Sequence, residues 1–208
     1  MKSMKLFIWD FDGTLVDSYP YSSSCMQRAI RDFGFDATYA EIMEHMLDTI
    51  SACLKHFTEK FQIPELSDCF WSYYQVGPDE PVILFEGVKA VLERIEELGG
   101  VNLIFTNRNE SIFSMLEKAG IAGYFREVVT AVHPNFAWKP APDAIEYLMR
   151  AHGGTVDNTV MIGDRICDLS SGWNAGCKTC HLLTPVAPQY PPCDWRIENF
   201  EQMLELLK

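Results

Sequence analysis

Short apolar runs recur along the chain, and amphipathic helical patterns lie between them. The runs occupy residues 6–9, 101–105, 128–129, 160–162 and 179–183. Runs of this length, bounded by turn residues, indicate strands of a parallel sheet that is covered on both faces. The helical patterns occupy residues 88–98, 112–119 and 145–149. Glycines follow these patterns, as is common beyond the end of a helix. The alternation predicts a three-layer α/β domain with right-handed crossovers.

Residues 17–83 depart from this alternation. They contain no convincing strand, and four helical patterns follow one another there, in residues 25–33, 38–46, 50–61 and 66–73. We therefore expect a core domain formed by residues 1–16 and 84–208, with a helical domain of residues 17–83 inserted after the first strand. A proline-rich stretch at residues 185–192 is typical of a surface loop, and a final helix is expected near residues 201–207.

The composition limits the classes of protein to which the chain can belong. Of its 208 residues, 48% are hydrophobic, which is enough to offset the entropy of ordering and excludes intrinsic disorder. The formal net charge of -12 argues against a nucleic-acid partner, because phosphate backbones are bound by clustered Lys and Arg. No apolar stretch has the length of a membrane span, and the first apolar run is too short for a signal peptide. Seven cysteines without an export signal are typical of reduced thiols, so we expect a soluble cytoplasmic protein with no membrane partner.

Two carboxylates follow the first predicted strand directly. Asp10 and Asp12 alternate with Phe11, so an extended chain would place both carboxylates on one side. They would repel each other unless a cation lies between them or one of them is protonated. The carboxyl end of a parallel strand is also where open α/β sheets bind their ligands. A solvated acidic turn is the alternative for these two residues taken alone.

Polar residues follow three later strands in the same way. Thr106 and Asn107 come after residues 101–105, Lys139 comes after residues 131–138, and Asp164 and Asp168 come after residues 160–162. Each of these elements alone is typical of a turn, a helix cap or a solvated charge. Because four polar elements stand near the carboxyl ends of neighbouring strands, the set predicts one functional site.

The polar motifs at these strand ends resemble those of one protein family. The sequence resembles the haloacid dehalogenase (HAD) superfamily of phosphotransferases, in the branch with a helical cap, near its phosphoglycolate phosphatase-like members. The resemblance covers nearly the whole chain and implies a Rossmann-like parallel-sheet core with an inserted α-helical cap. The motifs that carry it are Asp10-Phe11-Asp12-Gly13-Thr14, Thr106-Asn107, Lys139-Pro140-Ala141-Pro142-Asp143, Gly163-Asp164-x-x-x-Asp168 and Asn174-Ala175-Gly176.

The resemblance also implies catalytic roles. Asp10 would attack phosphorus and form an aspartyl-phosphate. Asp12 would protonate the leaving alkoxide and then deprotonate the attacking water. Thr106 and the backbone N–H of Asn107 would bind the phosphoryl oxygens, and Lys139 would offset negative charge on the nucleophile and the phosphate.

A metal site is implied as well. Mg²⁺ would be bound by the Asp10 carboxylate, the backbone carbonyl of Asp12 and Asp164, with Asp168 orienting these ligands. Oxygen ligands suit Mg²⁺ better than Zn²⁺. Gly13 would permit the tight turn into the cap and is expected to be a further substrate-binding residue. The expected function is hydrolysis of a small phosphate monoester by a magnesium-dependent phosphatase that is a monomer or a weak homodimer.

Two other functions stay open. A sugar-phosphate mutase keeps both carboxylates, and in mutases that resemble this chain an Arg in the cap binds the non-transferring phosphate. The matching stretch, residues 45–51, contains no Arg or Lys and carries Asp48 instead, although Lys55 or Arg28 could compensate. A non-catalytic regulatory member of the family is the other alternative, but such a protein has no use for a nucleophile.

Other residues near the motifs have an open interpretation. Cys177-Lys178-Thr179-Cys180-His181 matches a haem-attachment pattern and a redox pattern, yet it runs into an apolar stretch where small Cys side chains pack well. We therefore interpret it as part of a strand. Arg108, Arg165 and His133 stand close to motif positions, and the sequence leaves open whether they contact substrate or solvent.

Overall fold

The computed structural model describes residues 1, 3–46, 49–75, 82–183 and 191–208. The chain divides into two compact units. One, which we call the sheet unit, comprises Met1–Asp17 and Ile83–Lys208, and the other, the helical unit, comprises Ser18–Val82. Within the described ranges, no helix is both long enough and apolar enough to span a membrane.

The elements follow the predicted alternation of strand and helix in the sheet unit. Its strands are β1 (Leu6–Trp9), β2 (Val101–Phe105), β3 (Phe125–Val129), β4 (Thr159–Gly163), β5 (Lys178–Leu182) and β6 (Trp195–Ile197). The helices of the helical unit are α1 (Tyr19–Asp32), α2 (Tyr39–Met46), α3 (Ile50–Phe61) and α4 (Leu66–Tyr74). Those of the sheet unit are α5 (Val88–Glu97), α6 (Ser111–Ala119), α7 (Asp143–Ala151), α8 (Ile166–Asn174) and α9 (Phe200–Leu206). Short 3-10 turns lie at Ala122–Tyr124 and Val156–Asn158.

The sheet has the order β3-β2-β1-β4-β5-β6, and every neighbouring pair of strands is parallel. The chain runs outward from β1 to β2 and β3 on one side, and from β4 to β5 and β6 on the other. The strand order therefore reverses between β1 and β4. In open α/β sheets, the carboxyl ends of the strands at such a reversal form the crevice where ligands bind.

Both faces of the central strand are buried, which explains its uninterrupted apolar sequence. Leu6 and Ile8 belong to a core cluster that also contains Ile145 and Leu148 of α7. On the other face, the Trp9 ring stacks on Phe200 of α9, with ring centroids 6.1 Å apart. Helices thus cover both faces of the sheet, and the predicted three-layer α/β architecture is confirmed.

The helical unit has a core of its own. Met26 of α1, Phe57 of α3 and Phe70 of α4 are fully buried. The Tyr21 hydroxyl of α1 donates a hydrogen bond to the backbone carbonyl of Tyr73 in α4 at 2.9 Å. Apolar packing and a cross-helix hydrogen bond therefore tie its first and last helices together.

Three elements differ from the sequence-based expectation. The strand predicted at residues 128–129 begins earlier, at Phe125, and the two elements β6 and α8 were not predicted. β3 and β6 are edge strands whose residues are mostly half-buried or exposed, so neither has a continuous apolar run. A surface loop was predicted for the proline-rich stretch at residues 185–192. Most of this stretch falls within residues 184–190, which lie outside the described residues.

Candidate active site

The candidate site lies where β1 and β4 end side by side. Asp10 follows β1, Asp164 follows β4, and the Asp10 N–H donates to the Ile162 carbonyl at 2.8 Å. Gly13 then turns the chain with a φ of 79°, a left-handed conformation that favours glycine. A Cβ at this position would lie only 2.5 Å from Oδ2 of Asp164. Glycine is therefore required both by the turn and by the close approach of the Asp164 carboxylate.

Three buried carboxylates meet at this point. Asp10, Asp164 and Asp168 are 6%, 1% and 2% exposed, and each offers an oxygen that lies within 4.8 Å of the others. Lys139 projects its buried ammonium between two of them, 2.6 Å from Oδ1 of Asp10 and 2.8 Å from Oδ1 of Asp168. The Lys139 ammonium contacts two of these three carboxylates, so among the residues of this described cluster negative charge exceeds positive charge.

The pKa values express this excess of negative charge. Burial, reinforced by the charge of Asp168, raises the pKa of Asp10 to about 8. Burial opposes the charge on Lys139, but the carboxylates of Asp10 and Asp168 outweigh it and raise the pKa of the ammonium. A further cation would relieve the unfavourable charge on the carboxylates. The buried set of carboxylate oxygens fits a hard divalent cation, and these residues could hold one.

Neighbouring groups hold the three carboxylates in place. The Thr14 hydroxyl lies 3.2 Å from Oδ1 of Asp164 and 3.4 Å from Oδ2 of Asp10. At the start of α8, Oδ2 of Asp168 accepts the backbone N–H of Arg165 at 2.9 Å. Side-chain and main-chain donors thus fix the carboxylates on both sides of the strand-order reversal.

Asp12 has a separate partner. The buried Arg108 guanidinium binds both oxygens of the Asp12 carboxylate, with Nε 2.7 Å from Oδ2 and Nη2 2.6 Å from Oδ1. Residue alternation predicted that a cation would lie between Asp10 and Asp12 or that one of them would be protonated. In the structure each has its own cation, Lys139 for Asp10 and Arg108 for Asp12. The pairing of Arg108 was missed, although an Arg directly after the Thr-Asn motif is a signal that could have suggested it.

Thr106 and Asn107 contact the backbone of the two cationic residues, Arg108 and Lys139. Thr106 is buried at the end of β2, and its hydroxyl oxygen accepts the backbone N–H of Arg108 at 3.0 Å. The side-chain oxygen of Asn107 accepts the backbone N–H of Lys139, also at 3.0 Å. The motif after β2 therefore positions the main chain of both cationic residues.

The remaining residues singled out in the sequence have other environments. His133 stacks on Phe136, with centroids 4.3 Å apart, and its Nδ1 accepts the N–H of Asn135 within the same loop. Cys177 and Cys180 are buried free thiols, and burial raises the pKa of both. His181, which was interpreted as part of a strand, lies in β5 and also contacts the site, because its Nε2 lies 3.0 Å from the Asp164 carbonyl oxygen.

Known proteins resemble this chain over most of its length. A family model described as haloacid dehalogenase-like hydrolase matches residues 7–182. The phosphoglycolate phosphatase of Vibrio cholerae is 29% identical, with 100% of this chain and 98% of the relative covered. That of Pasteurella multocida is 26% identical, with 100% of both chains covered.

Solved structures share the fold. A predicted phosphoglycolate phosphatase from Haemophilus somnus has a TM-score of 0.85 at 22% identity, with 100% of both chains covered. A hydrolase from Streptococcus pneumoniae has a TM-score of 0.69 at 29% identity, with 99% of this chain and 100% of the other covered. The family resemblance inferred from the motifs is confirmed, because the family model extends from β1 to β5. The chain belongs to the haloacid dehalogenase-like hydrolases.

Proposed function

We propose that this protein is a metal-dependent phosphatase that hydrolyses a small phosphate monoester through an aspartyl-phosphate. The observation that carries the proposal is the arrangement of Asp10, Asp164 and Asp168 around Lys139, with Asp12 held apart by Arg108. This arrangement supports attack by the Asp10 carboxylate, which belongs to the cluster that would bind the metal. A second carboxylate, 21% exposed at its side chain, is available for proton transfer. The names of the curated relatives make 2-phosphoglycolate the first substrate to test.

The proposed metal is Mg²⁺. The carboxylates of Asp10 and Asp164 and the backbone carbonyl of Asp12 would hold it, and Asp168 would orient this set while it also binds Lys139. When bound, the ion neutralises charge on the phosphoryl group and on the carboxylates. The buried excess of negative charge supports a divalent cation, and the all-oxygen donor set supports Mg²⁺ over a softer metal.

The residues of this chain would perform two displacements. In the first, an oxygen of Asp10 forms a bond to phosphorus, the ester P–O bond breaks, and Asp12 donates a proton to the leaving alkoxide. In the second, Asp12 removes a proton from water, the water oxygen attacks phosphorus, and the bond to Asp10 breaks. Inorganic phosphate leaves, Asp10 is again a carboxylate, and Asp12 is again the carboxylic acid with which it began.

Binding of the phosphoryl oxygens falls to residues around the nucleophile. Lys139, the Thr106 hydroxyl, the backbone N–H of Asn107 and the turn at Gly13 would provide the contacts. The short Lys139–Asp10 contact of 2.6 Å supports this role, because an ammonium there neutralises charge on both the nucleophile and the phosphate. Arg108 would orient Asp12 for the proton transfers.

The helical unit would act as the cap that selects the substrate. In this proposal the catalytic core comprises residues 1–16 and 84–208, and the cap comprises residues 17–83. Its separate apolar core supports this role, because a unit that packs on its own can vary without disturbing the catalytic residues.

A hydrolysis panel tests the proposal. Small phosphate monoesters, 2-phosphoglycolate among them, are incubated with the metal-stripped protein in Mg²⁺ and in EDTA, and free phosphate is measured. We expect turnover only with Mg²⁺, and a loss on the order of 1000-fold or more in Asp10→Asn, because the nucleophile is removed. Asp157→Asn, at an exposed position of the same unit, is the matched control and should behave as the parent.

Three results would contradict the proposal. Turnover by Asp10→Asn within tenfold of the parent would exclude the covalent route. Full activity in EDTA would exclude the metal. With β-glucose 1-phosphate and catalytic glucose 1,6-bisphosphate, formation of glucose 6-phosphate faster than free phosphate would identify a mutase instead.

A further inference from the structure

A histidine that the proposed chemistry does not use reaches the metal-site turn from the neighbouring strand. His181 lies in β5 and is 1% exposed. Its Cα pairs in register with Gly163, the last residue of β4, which directly precedes Asp164. From there Nε2 of the ring lies 3.0 Å from the backbone carbonyl oxygen of Asp164.

This contact defines the tautomer of the ring. A carbonyl oxygen can only accept, so Nε2 must carry the hydrogen, and in a neutral ring Nδ1 is then left as an acceptor. Nδ1 is buried and has no hydrogen-bond partner among the residues that the structure describes. Burial lowers the pKa of His181, which favours this neutral form. The ring thus leaves Nδ1 without a partner in the described structure while Nε2 donates to Asp164. Because buried polar atoms normally have a hydrogen-bond partner, this orientation of the ring needs a reason.

Asp164 is held from two directions. The Thr14 hydroxyl contacts the carboxylate at 3.2 Å, and His181 contacts the carbonyl of the same residue. The position of Asp164 is also tightly constrained, because a Cβ at Gly13 would already lie 2.5 Å from its carboxylate. A rotation of the Asp164 peptide would therefore move a ligand that has little free space around it.

We infer that His181 is a positioning residue for the metal site: through its hydrogen bond to the Asp164 carbonyl it fixes the carboxylate that binds the divalent cation. The inference rests on the proposed metal site and adds a residue outside the family motifs to it. Loss of an outer group that orients a metal ligand lowers metal affinity by about 10- to 100-fold. We expect the low end of that range, about tenfold, because His181 acts through the main chain.

A matched pair of variants separates the hydrogen bond from packing. Gln in His181→Gln places an amide N–H close to the position of Nε2, whereas Met in His181→Met has a similar length and shape and no donor. The dissociation constant for Mg²⁺ is measured on metal-stripped protein by calorimetry and by the rise of the thermal midpoint with Mg²⁺ concentration. We expect His181→Gln to stay within about threefold of the parent and His181→Met to bind about tenfold more weakly.

Equal dissociation constants for His181→Met and the parent would overturn the inference. Equal weakening in His181→Gln and His181→Met would do the same, because packing would then be the cause. Asp164→Ala shows whether the measurement reports the proposed site. A parent that does not respond to Mg²⁺, or that matches Asp164→Ala, would overturn the metal site itself. Binding by the parent and His181→Gln with similar dissociation constants, together with binding about tenfold weaker in His181→Met, would support both.

A measurement on the parent protein covers the case in which His181→Met does not fold. Nitrogen–proton correlation spectra of the imidazole rings, assigned by comparison with His181→Gln, report the tautomer directly. We expect the Nε2–H form for His181 and a shift of its signals that saturates with the same dissociation constant as Mg²⁺ binding. An Nδ1–H form, or ring signals that do not move when Mg²⁺ saturates the protein, would overturn the inference.

Discussion

Removal of the Arg108 guanidinium tests how strongly the site is held together before any ligand binds. The Arg108 side chain is fully buried and binds both oxygens of Asp12 at 2.6 and 2.7 Å. Arg108→Met keeps most of the apolar stem and removes both donors. The Asp12 carboxylate then loses two charge-assisted hydrogen bonds.

The burial of this ion pair sets the expected loss in the free energy of unfolding. Removing one partner of a buried ion pair costs about 3–5 kcal/mol, because the other charge stays behind without compensation. The Asp12 side chain is 21% exposed, so water can replace part of what Arg108 provides. We therefore expect the free energy of unfolding to fall by about 2–3 kcal/mol. In Asp12→Asn the charge is already absent, so the same Arg108 substitution should cost at least about 1 kcal/mol less there.

Urea unfolding in EDTA, followed by tryptophan fluorescence, to which the buried Trp9 contributes, measures these differences. With a slope of about 2 kcal/mol per molar urea, the midpoint of Arg108→Met should fall by about 1 M. Arg94→Met is the control, because Arg94 pairs with Glu97 on the surface of α5 and should contribute no more than about 0.5 kcal/mol. A shift in Arg108→Met no larger than that of the control, or additive effects of Arg108→Met and Asp12→Asn, would refute the reasoning.

Two further predictions concern single side chains. Gly13→Ala should lower stability by about 1–2 kcal/mol through its positive φ and should also weaken Mg²⁺ binding, because its Cβ would displace the Asp164 carboxylate. Gly34→Ala has a similar φ of 80° with nothing within 4 Å, so unaltered Mg²⁺ affinity is expected there, and equal affinities in the two variants would contradict the steric argument. Burial alone would raise the pKa of Asp194, but hydrogen bonds from Thr179 and Lys178 lower it, so ionised Asp194 stabilises the fold above the pKa of an ordinary aspartate. The stability difference between the parent and Asp194→Asn should therefore be largest near neutral pH and should shrink as the pH falls through the lowered pKa, and a pH-independent difference in urea midpoints would exclude this contribution.

The sheet could be predicted because its central strands are buried on both faces. The predicted bounds of β1 and β2 match the structure, because β1 is wholly buried and β2 mostly so, and buried strands are largely apolar. α8 was missed for the opposite reason. A Cβ at Gly172 would lie 2.7 Å from Cγ2 of Thr179, so the helix packs closely on β5 and needs small residues where an amphipathic helix usually carries large apolar ones.

The site could be predicted in part from motif order. Asp10, Lys139, Asp164 and Asp168 stand near the carboxyl ends of strands, and the structure brings them together. Their catalytic and metal-binding roles stay predictions until activity and metal binding are measured. The pairing of Asp12 with Arg108 was missed because the two residues lie 96 positions apart, and its signal was the place of Arg108 directly after the Thr-Asn motif rather than a local pattern. The contact of His181 with Asp164 was missed as well.

The helical unit is joined to the sheet unit through two chain segments that run side by side. The Asp17 N–H donates to the Ile83 carbonyl at 2.9 Å, and the Phe85 N–H donates to the Leu15 carbonyl at 3.1 Å. These two segments form a short antiparallel pair, bridged at Val16 and Leu84, into which the helical unit is inserted as one long loop. A two-residue turn could close this hairpin in place of Ser18–Val82 and leave every strand where it is. An insertion at such a position can be replaced as a whole during evolution. The register of the strands that carry the carboxylates need not change when it is replaced.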